Sequence, residues 1–310
     1  MASNWKVLAP IDLRFDSEAP VEYAAGVADA LGAELVLLHV STSSRYGHPH
    51  RLGWPRSASG EGNPDVDVHR LVIPGPVPES IVRYADHIAA DMLLMTTRTY
   101  GRRGRFWRRS ITAEVMDSTQ RPVCVTKMPD ADSNPLFRCH SILCVVGLED
   151  QDAALVQHAQ EIAAKSDARL VLLHIVPEIS EGLLAYGVDG AQARPLSAKL
   201  AREKIVELAA GISLPTTTSV MVGSPAKCIG LAAREHAADI VIASRVAPRA
   251  RFERSGAYTT DLGGALSRLG CPLLTVPLGQ RLEAERPEPR RGKEPLLRRE
   301  SSVRLAEGVR

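Results

Sequence analysis

The chain repeats itself, and the repetition limits its possible folds more than any single motif does. ARLVLLHI at 168–175 nearly copies AELVLLHV at 33–40, and SILCVV at 141–146 answers the apolar run from Lys6 to Ile11, both at an offset of 135 residues. GSPAKCIGLAAREHAADIVIAS, beginning at Gly223, matches GPVPESIVRYADHIAADMLLMT, beginning at Gly75, at an offset of 148. CPLLTVP at 271–277 matches RPVCVTK at 121–127 at an offset of 150. Within each copy, short unpatterned apolar runs alternate with amphipathic segments. Strands buried on both faces of a parallel sheet require such runs, and the amphipathic segments supply the helices that cover them. The order predicts an α/β fold of two tandem doubly wound domains, each an open five-stranded parallel sheet with helices on both faces.

Local signals place the elements. Ser17 caps a helix from Glu18 to about Leu31, which Gly32 ends. Ser110 opens a helix to about Asp117, and Arg121-Pro122 breaks it ahead of the strand Val123 to Lys127. In the second copy helices are expected at Asp152 to Lys165 and at about Ser197 to Ala210. The latter stands where the first copy has a Ser, Gly, Pro and His-rich stretch, 41–65, expected to be an irregular insertion. His48 and His50 in it have no carboxylate or cysteine nearby, so they read as surface loop. The boundaries that follow are 1–130 for the first domain, 131–139 for a linker, 140–279 for the second domain and 280–310 for a charged, disordered tail.

A length of 310 residues with 45% hydrophobic content supports two cores. A net charge of +2 argues against a whole-surface nucleic-acid binder. The five cysteines show no metal or disulfide spacing, which suits a reducing compartment. No basic leader and no apolar run of the ~18 residues that a membrane helix needs is present, so a cytoplasmic protein without a membrane partner is expected.

The densest chemical signal lies between Asp91 and Lys127. From Arg98 to Arg109 there are six arginines and no acid, with Gly101 and Gly104 between them, and Ser110 then starts a helix. Helix N-termini and loop glycines favour anions, so this is the layout of a phosphate site. A solvated surface loop and a nucleic-acid patch using Tyr100, Phe106 and Trp107 are the competing readings. Ligands of doubly wound sheets bind beyond the carboxyl ends of strands at the switch point, which here means Asp12, Val40 and Thr96 to Thr99. His39 and His174 sit at matching strand ends and read as structural, since no Ser or Cys nucleophile pairs with them in the sequence. No P-loop, GxSxG or GxGxxG appears, so no catalytic constellation emerges.

These features together resemble the universal stress protein family (UspA-like) in its tandem form. They are APID closing the first strand, LVLLHV, the GxPxxxI turn, DMLLMT leading into a loop, and SITAEVMDSTQRPVCV at the close. The resemblance covers 5–127 and 140–278. It implies a Rossmann-like, adenine nucleotide alpha hydrolase-like fold, a stress-response role, and ATP as the cofactor of the nucleotide-binding branch. By the same resemblance Asp12 is the acid that meets adenine, Val40 the residue whose backbone reads it, and Ser110 the serine that opens the last helix. The branch wraps phosphates with Gly-x-x-Gly, nine residues, then Gly-Ser or Gly-Thr. Its glycine positions hold Thr96, Thr99 and Arg109 here, so Arg105 and Arg109 would have to replace backbone contacts with guanidinium pairing. In the second copy Gly147 replaces the acid, Ser244 and Ala247 replace two glycines, and Thr260-Asp261 takes the Gly-Ser place, so no nucleotide is expected there.

The expectation is a non-enzymatic stress-response sensor or interaction module with at most one degenerate ATP site, in the first domain, and with no metal and no catalytic residue. The alternatives are an ATP-binding or ATP-hydrolysing universal stress protein, and an anion or nucleic-acid binder acting through the arginine loop. The expected partners are the two domains themselves, packed as an intrachain pseudo-dimer along their last strands. A homodimer and an unidentified protein partner are further expectations, with nucleic acid disfavoured.

Overall fold

The computed structural model describes residues 5–15, 18–42, 54–55, 66–97, 110–127, 139–149, 152–176, 190–245, 265–266 and 268–277. The arginine loop, most of the 41–65 insertion, the linker up to residue 138 and the tail lie outside the described residues.

In the first half the order is β1 (Trp5–Pro10), α1 (Glu18–Leu31), β2 (Ala33–Ser41), β3 (Val68–Pro74), α2 (Val77–His87), β4 (Met92–Thr97), α3 (Ile111–Ser118) and β5 (Val123–Lys127). The second half runs β6 (Ser141–Val146), α4 (Asp152–Ser166), β7 (Arg169–Val176), α5 (Gly190–Ala210), β8 (Thr216–Val222), α6 (Pro225–Glu235), β9 (Ile240–Arg245) and β10 (Leu273–Pro277). The helix α5 begins at Gly190, ahead of Pro195, so the proline does not set its start as a helix-breaking residue ordinarily would.

All ten strands form one sheet, ordered β3-β2-β1-β4-β5-β10-β9-β6-β7-β8. Each half is a parallel five-stranded doubly wound sheet with β1 or β6 at its centre. The inner strands are mostly buried, β4 up to Met95 and β7 from Leu170 on, whereas β3 and β8, at the two ends, are half exposed. Both glycines of the GxPxxxI turns, Gly75 and Gly223, have φ near 147°, and a Cβ on Gly75 would collide with Ser80 Oγ. That turn needs glycine for conformation and for space.

The halves meet through β5 and β10, which pair antiparallel with Cys124 opposite Leu274. Leu274 is itself the repeat counterpart of Cys124, so the ladder is centred on equivalent residues, the arrangement of a local two-fold. Thr275 Oγ1 donates to Val123 O at 3.2 Å across this join. Two cations cross it as well. Arg245, buried at the end of β9, donates from Nη2 to Thr119 O and Arg121 O, both at 3.0 Å, and so caps the C-terminus of α3. Lys127, at the end of β5, donates to Leu269 O at 3.2 Å. Thr119 and Leu269 are repeat counterparts, and a positive charge at a helix C-terminus is favoured by the macrodipole. Burial pushes the Arg245 guanidinium down to about 10, which leaves it cationic at neutral pH.

Each face of the sheet carries one core that runs across both halves. One contains α1 and α4 with Ile205 of α5, and the other contains α2, α3 and α6. On the first face His158 of α4 stacks on Trp5 of β1, with ring centroids 5.5 Å apart and planes 17° apart. Lys165 lies 5.2 Å over the same indole and donates to Leu31 O at 3.2 Å, the end of α1. Cys124, Cys139, Cys144 and Cys228 are buried, and burial raises the thiol pKa of the first three, so none of these three is a thiolate at neutral pH.

Two outcomes follow. Arg245→Met leaves the C-cap carbonyl of α3 and the Arg121 carbonyl without their charged donor and should lower stability by ~2 kcal/mol, read as a fall in the denaturant midpoint. His158 is 4% exposed, and burial pushes it down to about 4, against an ordinary value of about 6.5. Unfolding therefore takes up a proton between those two values, so stability should fall as pH drops from about 6.5 towards 4, by up to ~1.4 kcal/mol per pH unit, and be unaffected by this group above 6.5. Equilibrium unfolding of His158→Phe at pH 7 and pH 5 should show that slope reduced.

Candidate functional site

In each half the connection order reverses beside the central strand. The chain leaves β1 for β2 and β3 on one side and returns to β4 and β5 on the other, which opens a crevice at the carboxyl ends of β1 and β4. The β1–β2 register pairs Pro10 with Leu38, and the β1–β4 register pairs Leu8 with Leu93. Continued past the end of β1, these registers set Asp12 level with Val40 on β2 and with Thr97 on β4.

Val40 falls in the core cluster of the face that carries α2 and α3, and strand alternation from Leu93 and Met95 puts Thr97 on that face too. Thr96 points to the opposite face. Sequence reasoning singled out Thr96 and passed over Thr97, whose buried hydroxyl has no hydrogen-bond partner among the described residues. The signal that finds Thr97 is parity along β4, which a motif register ignores. Thr99, Arg105 and Arg109 lie outside the described residues.

Ser110 is the N-cap of α3, with extended backbone at φ −87° and ψ 149°, and its Oγ accepts from Ala113 N at 3.1 Å. Ser110 thus satisfies one of the orphan N–H groups at the start of α3, which packs on the face of the sheet that carries Val40.

Asp12 is not a bare carboxylate. Arg14 forks onto it, with Nε to Oδ1 at 2.9 Å and Nη2 to Oδ2 at 2.6 Å, and Arg14 N adds a third bond to Oδ1 at 3.1 Å. The Arg14 hydrogen bond is the main reason that the carboxyl is held below its usual range, partly offset by burial. Arg14 also lies over the Phe15 ring at 5.9 Å from its centroid. Nothing in the motif singles out Arg14; a basic residue two positions after the acid was the available signal.

The two matching histidines staple strand ends. His39 Nδ1 lies 3.0 Å from Ile11 O and 3.3 Å from Leu13 N, and His174 Nδ1 lies 2.9 Å from Val146 O, so each ring sits against the last backbone groups before the crevice. Both are buried. His39 therefore fixes the backbone immediately before Asp12.

The second crevice differs at each equivalent point. Gly147 stands in the place of Asp12, and Arg245 stands in the place of Thr97, with its guanidinium committed to α3 of the other half. The carboxylate of Asp152, in the first turn of α4, accepts from Glu149 N at 3.0 Å and is 4% exposed. A Cβ on Gly147 would come 3.4 Å from Asp152 Oδ2, tight but short of a clash. Burial raises the Asp152 carboxyl, opposed by the backbone N–H groups of Glu149, Gly147 and Leu148. An internal carboxylate has taken the backbone donors at the end of β6.

A doubly wound parallel domain with helices on both faces, present twice in one chain, defines a tandem α/β protein. The sequence pattern described as "Universal stress protein family" matches residues 4–127 and 139–255, and the chain belongs to that family with two such domains in tandem. It is 30% identical over 104 residues to Universal stress protein A homolog 2 of Coxiella burnetii, which covers 33% of this chain and 71% of that protein. Among solved structures it is similar to a universal stress protein from Archaeoglobus fulgidus, at 17% identity and a TM-score of 0.60, covering 89% of this chain and 97% of that one. A functionally unknown protein from Pseudomonas aeruginosa PAO1 is similar at 14% identity and a TM-score of 0.58, covering 89% and 93%. At these identities the structural likeness speaks for the fold. Among the described residues no helix is long and apolar enough to cross a membrane, and no cluster of His, Cys, Asp or Glu suits a metal.

Ser110→Ala removes the cap of a helix of 8 residues, and the ligand-free protein should lose about 1 kcal/mol, measured as a shift in the thermal midpoint.

Proposed function

We propose that the protein is a non-enzymatic tandem universal stress protein whose first domain binds one nucleotide, ATP by the family's example, and whose second domain binds none. The observation that carries the reading is the level alignment of Asp12, Val40 and Thr97 at the switch point, on the same half as the capped N-terminus of α3. Adenine offers one donor on its free edges, the exocyclic amine, and a carboxylate is an acceptor only, so Asp12 can meet it. The N–H groups at the start of α3 suit a phosphate. The arginines of 98–109 supply positive charge in place of the glycine cradle. In the second domain, Gly147 offers no acceptor and the Asp152 carboxylate opposes an anion.

A reading of another class, an interaction module without a ligand that binds an unidentified protein partner or a second copy, is favoured by the loss of glycines at Thr96, Thr99 and Arg109. Calorimetry with ATP separates the two. One site per chain is expected, weakening as salt rises because side-chain charge replaces much of the backbone cradle. Replacing Arg105 and Arg109 together with Ala should weaken binding about 10-fold or more, on the ~1.5–3 kcal/mol scale of charged hydrogen bonds. Ser110→Asp should keep the helix cap yet repel the phosphates, so it should bind less ATP at unchanged stability. Two sites per chain, or one site indifferent to all these changes, would overturn the assignment.

A further inference from the structure

The sheet ends in β3 on one side and β8 on the other, and among the described residues each pairs along one edge only, with β2 and with β7. The ladder bonds show which backbone groups are left over. Leu170 N donates to Pro215 O and Gly223 N donates to Val176 O, so the odd-numbered residues of β8 face β7. The N–H and C=O groups of Thr216, Thr218, Val220 and Val222 therefore point away from the sheet. On β3, Leu35 N donates to Asp67 O and Gly75 N donates to Ser41 O, which leaves Val68, Arg70, Val72 and Pro74 pointing outward.

These two edges are repeat counterparts that the sequence treats in opposite ways. Pro74 has no N–H to offer at an outward position of β3, and His69 and Arg70 are exposed beside it, with His69 Nε2 3.3 Å from Glu34 Oε1 and 3.4 Å from Asp67 Oδ2. Proline and charge are the usual guards of a sheet edge. At the offset of 148 the same positions on β8 hold Val222, Thr218 and Thr217. TTTSVMV has neither charge nor proline, is rich in strand-favouring residues, and leaves Val222 46% exposed. Every guard of β3 is missing from β8.

We propose that β8 is a dimer interface, pairing antiparallel with β8 of a second copy about a two-fold axis through Ser219. That register sets Thr218 opposite Val220 of the second copy and Thr216 opposite Val222, so each outward N–H meets a carbonyl along the full strand and each threonine meets a valine. A strand without charge has nothing with which to select a partner of opposite sign, whereas its own sequence completes it, and a two-fold pair closes on itself. The chain already uses this solution once, where β5 pairs antiparallel with its counterpart β10.

Sedimentation of the full chain over a range of concentrations tests the proposal. The wild type should be a dimer. The double variant Thr218→Arg, Val222→Pro gives β8 the guards with which β3 already folds, and it should be monomeric with a cooperative thermal transition. Ser219 lies opposite itself on the axis, so Ser219→Lys and Ser219→Glu each set like charges face to face and should each weaken association about 10-fold or more, while an equimolar mixture of the two should dimerise again. A monomeric wild type overturns the proposal, and so does a dimer that all these variants leave intact. If the lysine and glutamate variants fail to associate on mixing, the axis at Ser219 falls. Species that keep growing with concentration would also overturn it, because they mean that β8 joins β3 of the next copy in an open chain.

Discussion

The antiparallel pairing of β5 with β10 is the contact on which the rest of the molecule depends. A five-stranded doubly wound sheet ends, on one side, in a strand whose N–H and C=O groups have no neighbour, and such an edge invites uncontrolled pairing. In this chain each half closes the other's edge, which makes ten strands continuous and lets both core layers run across the join without a break. The side chains that reinforce the ladder do so by an exchange. At the level of Thr97 and Lys127 the first half has its cation on the outer strand, and at the level of Arg245 and Pro277 the second half has it on the inner one. Arg245 reaches the C-terminal end of α3 and Lys127 reaches the carbonyl of Leu269, each in the opposite half, so one position in each registered pair is sufficient.

That exchange has a consequence for the two crevices. Thr97 and Arg245 are equivalent, and both stand at the mouth of a switch point. In the second half the residue there is spent on the join, and the loop amides at the end of β6 are spent on Asp152. In the first half the join is served by Lys127, one strand further out, which leaves the level of Asp12 to Thr97 and the N-terminus of α3. The two copies thus differ in what stands at this level, and α3 spans the difference: Ser110 caps its start, and Arg245 holds its end from the second half.

The architecture was legible in the sequence because it rests on patterns that occur twice. The apolar runs around LVLLHV and the GxPxxxI turns with their left-handed glycines fix strand and helix order without any long-range information. The site was only partly legible. Asp12, Val40 and Ser110 could be proposed from motif position, but that Thr97 and not Thr96 shares a face with Val40 depends on which face of β4 the helices cover, a property of the packed sheet. The fork of Arg14 onto Asp12 depends on the turn after β1, whose geometry His39 fixes from 28 residues away. Arg245 was invisible for a related reason, since a lone arginine at a strand end acquires meaning only when another half of the chain places two carbonyls 3.0 Å from it.

Replacing a glycine cradle by arginines changes the character of any phosphate site that results. Backbone N–H groups are fixed dipoles, aligned before the ligand arrives, and they lose little on binding. Guanidinium groups on a loop bring full charge but must be ordered by the ligand, at a cost of roughly 0.5–1.5 kcal/mol for each side chain immobilised. Affinity built this way falls steeply with ionic strength, and it discriminates by charge more than by shape. In such a site the phosphate end supplies attraction and little selectivity. Selectivity then has to come from the base end, where His39 holds the backbone ahead of Asp12 and Arg14 forks onto the Asp12 carboxylate. The fixed part of this site is therefore at β1 and β2.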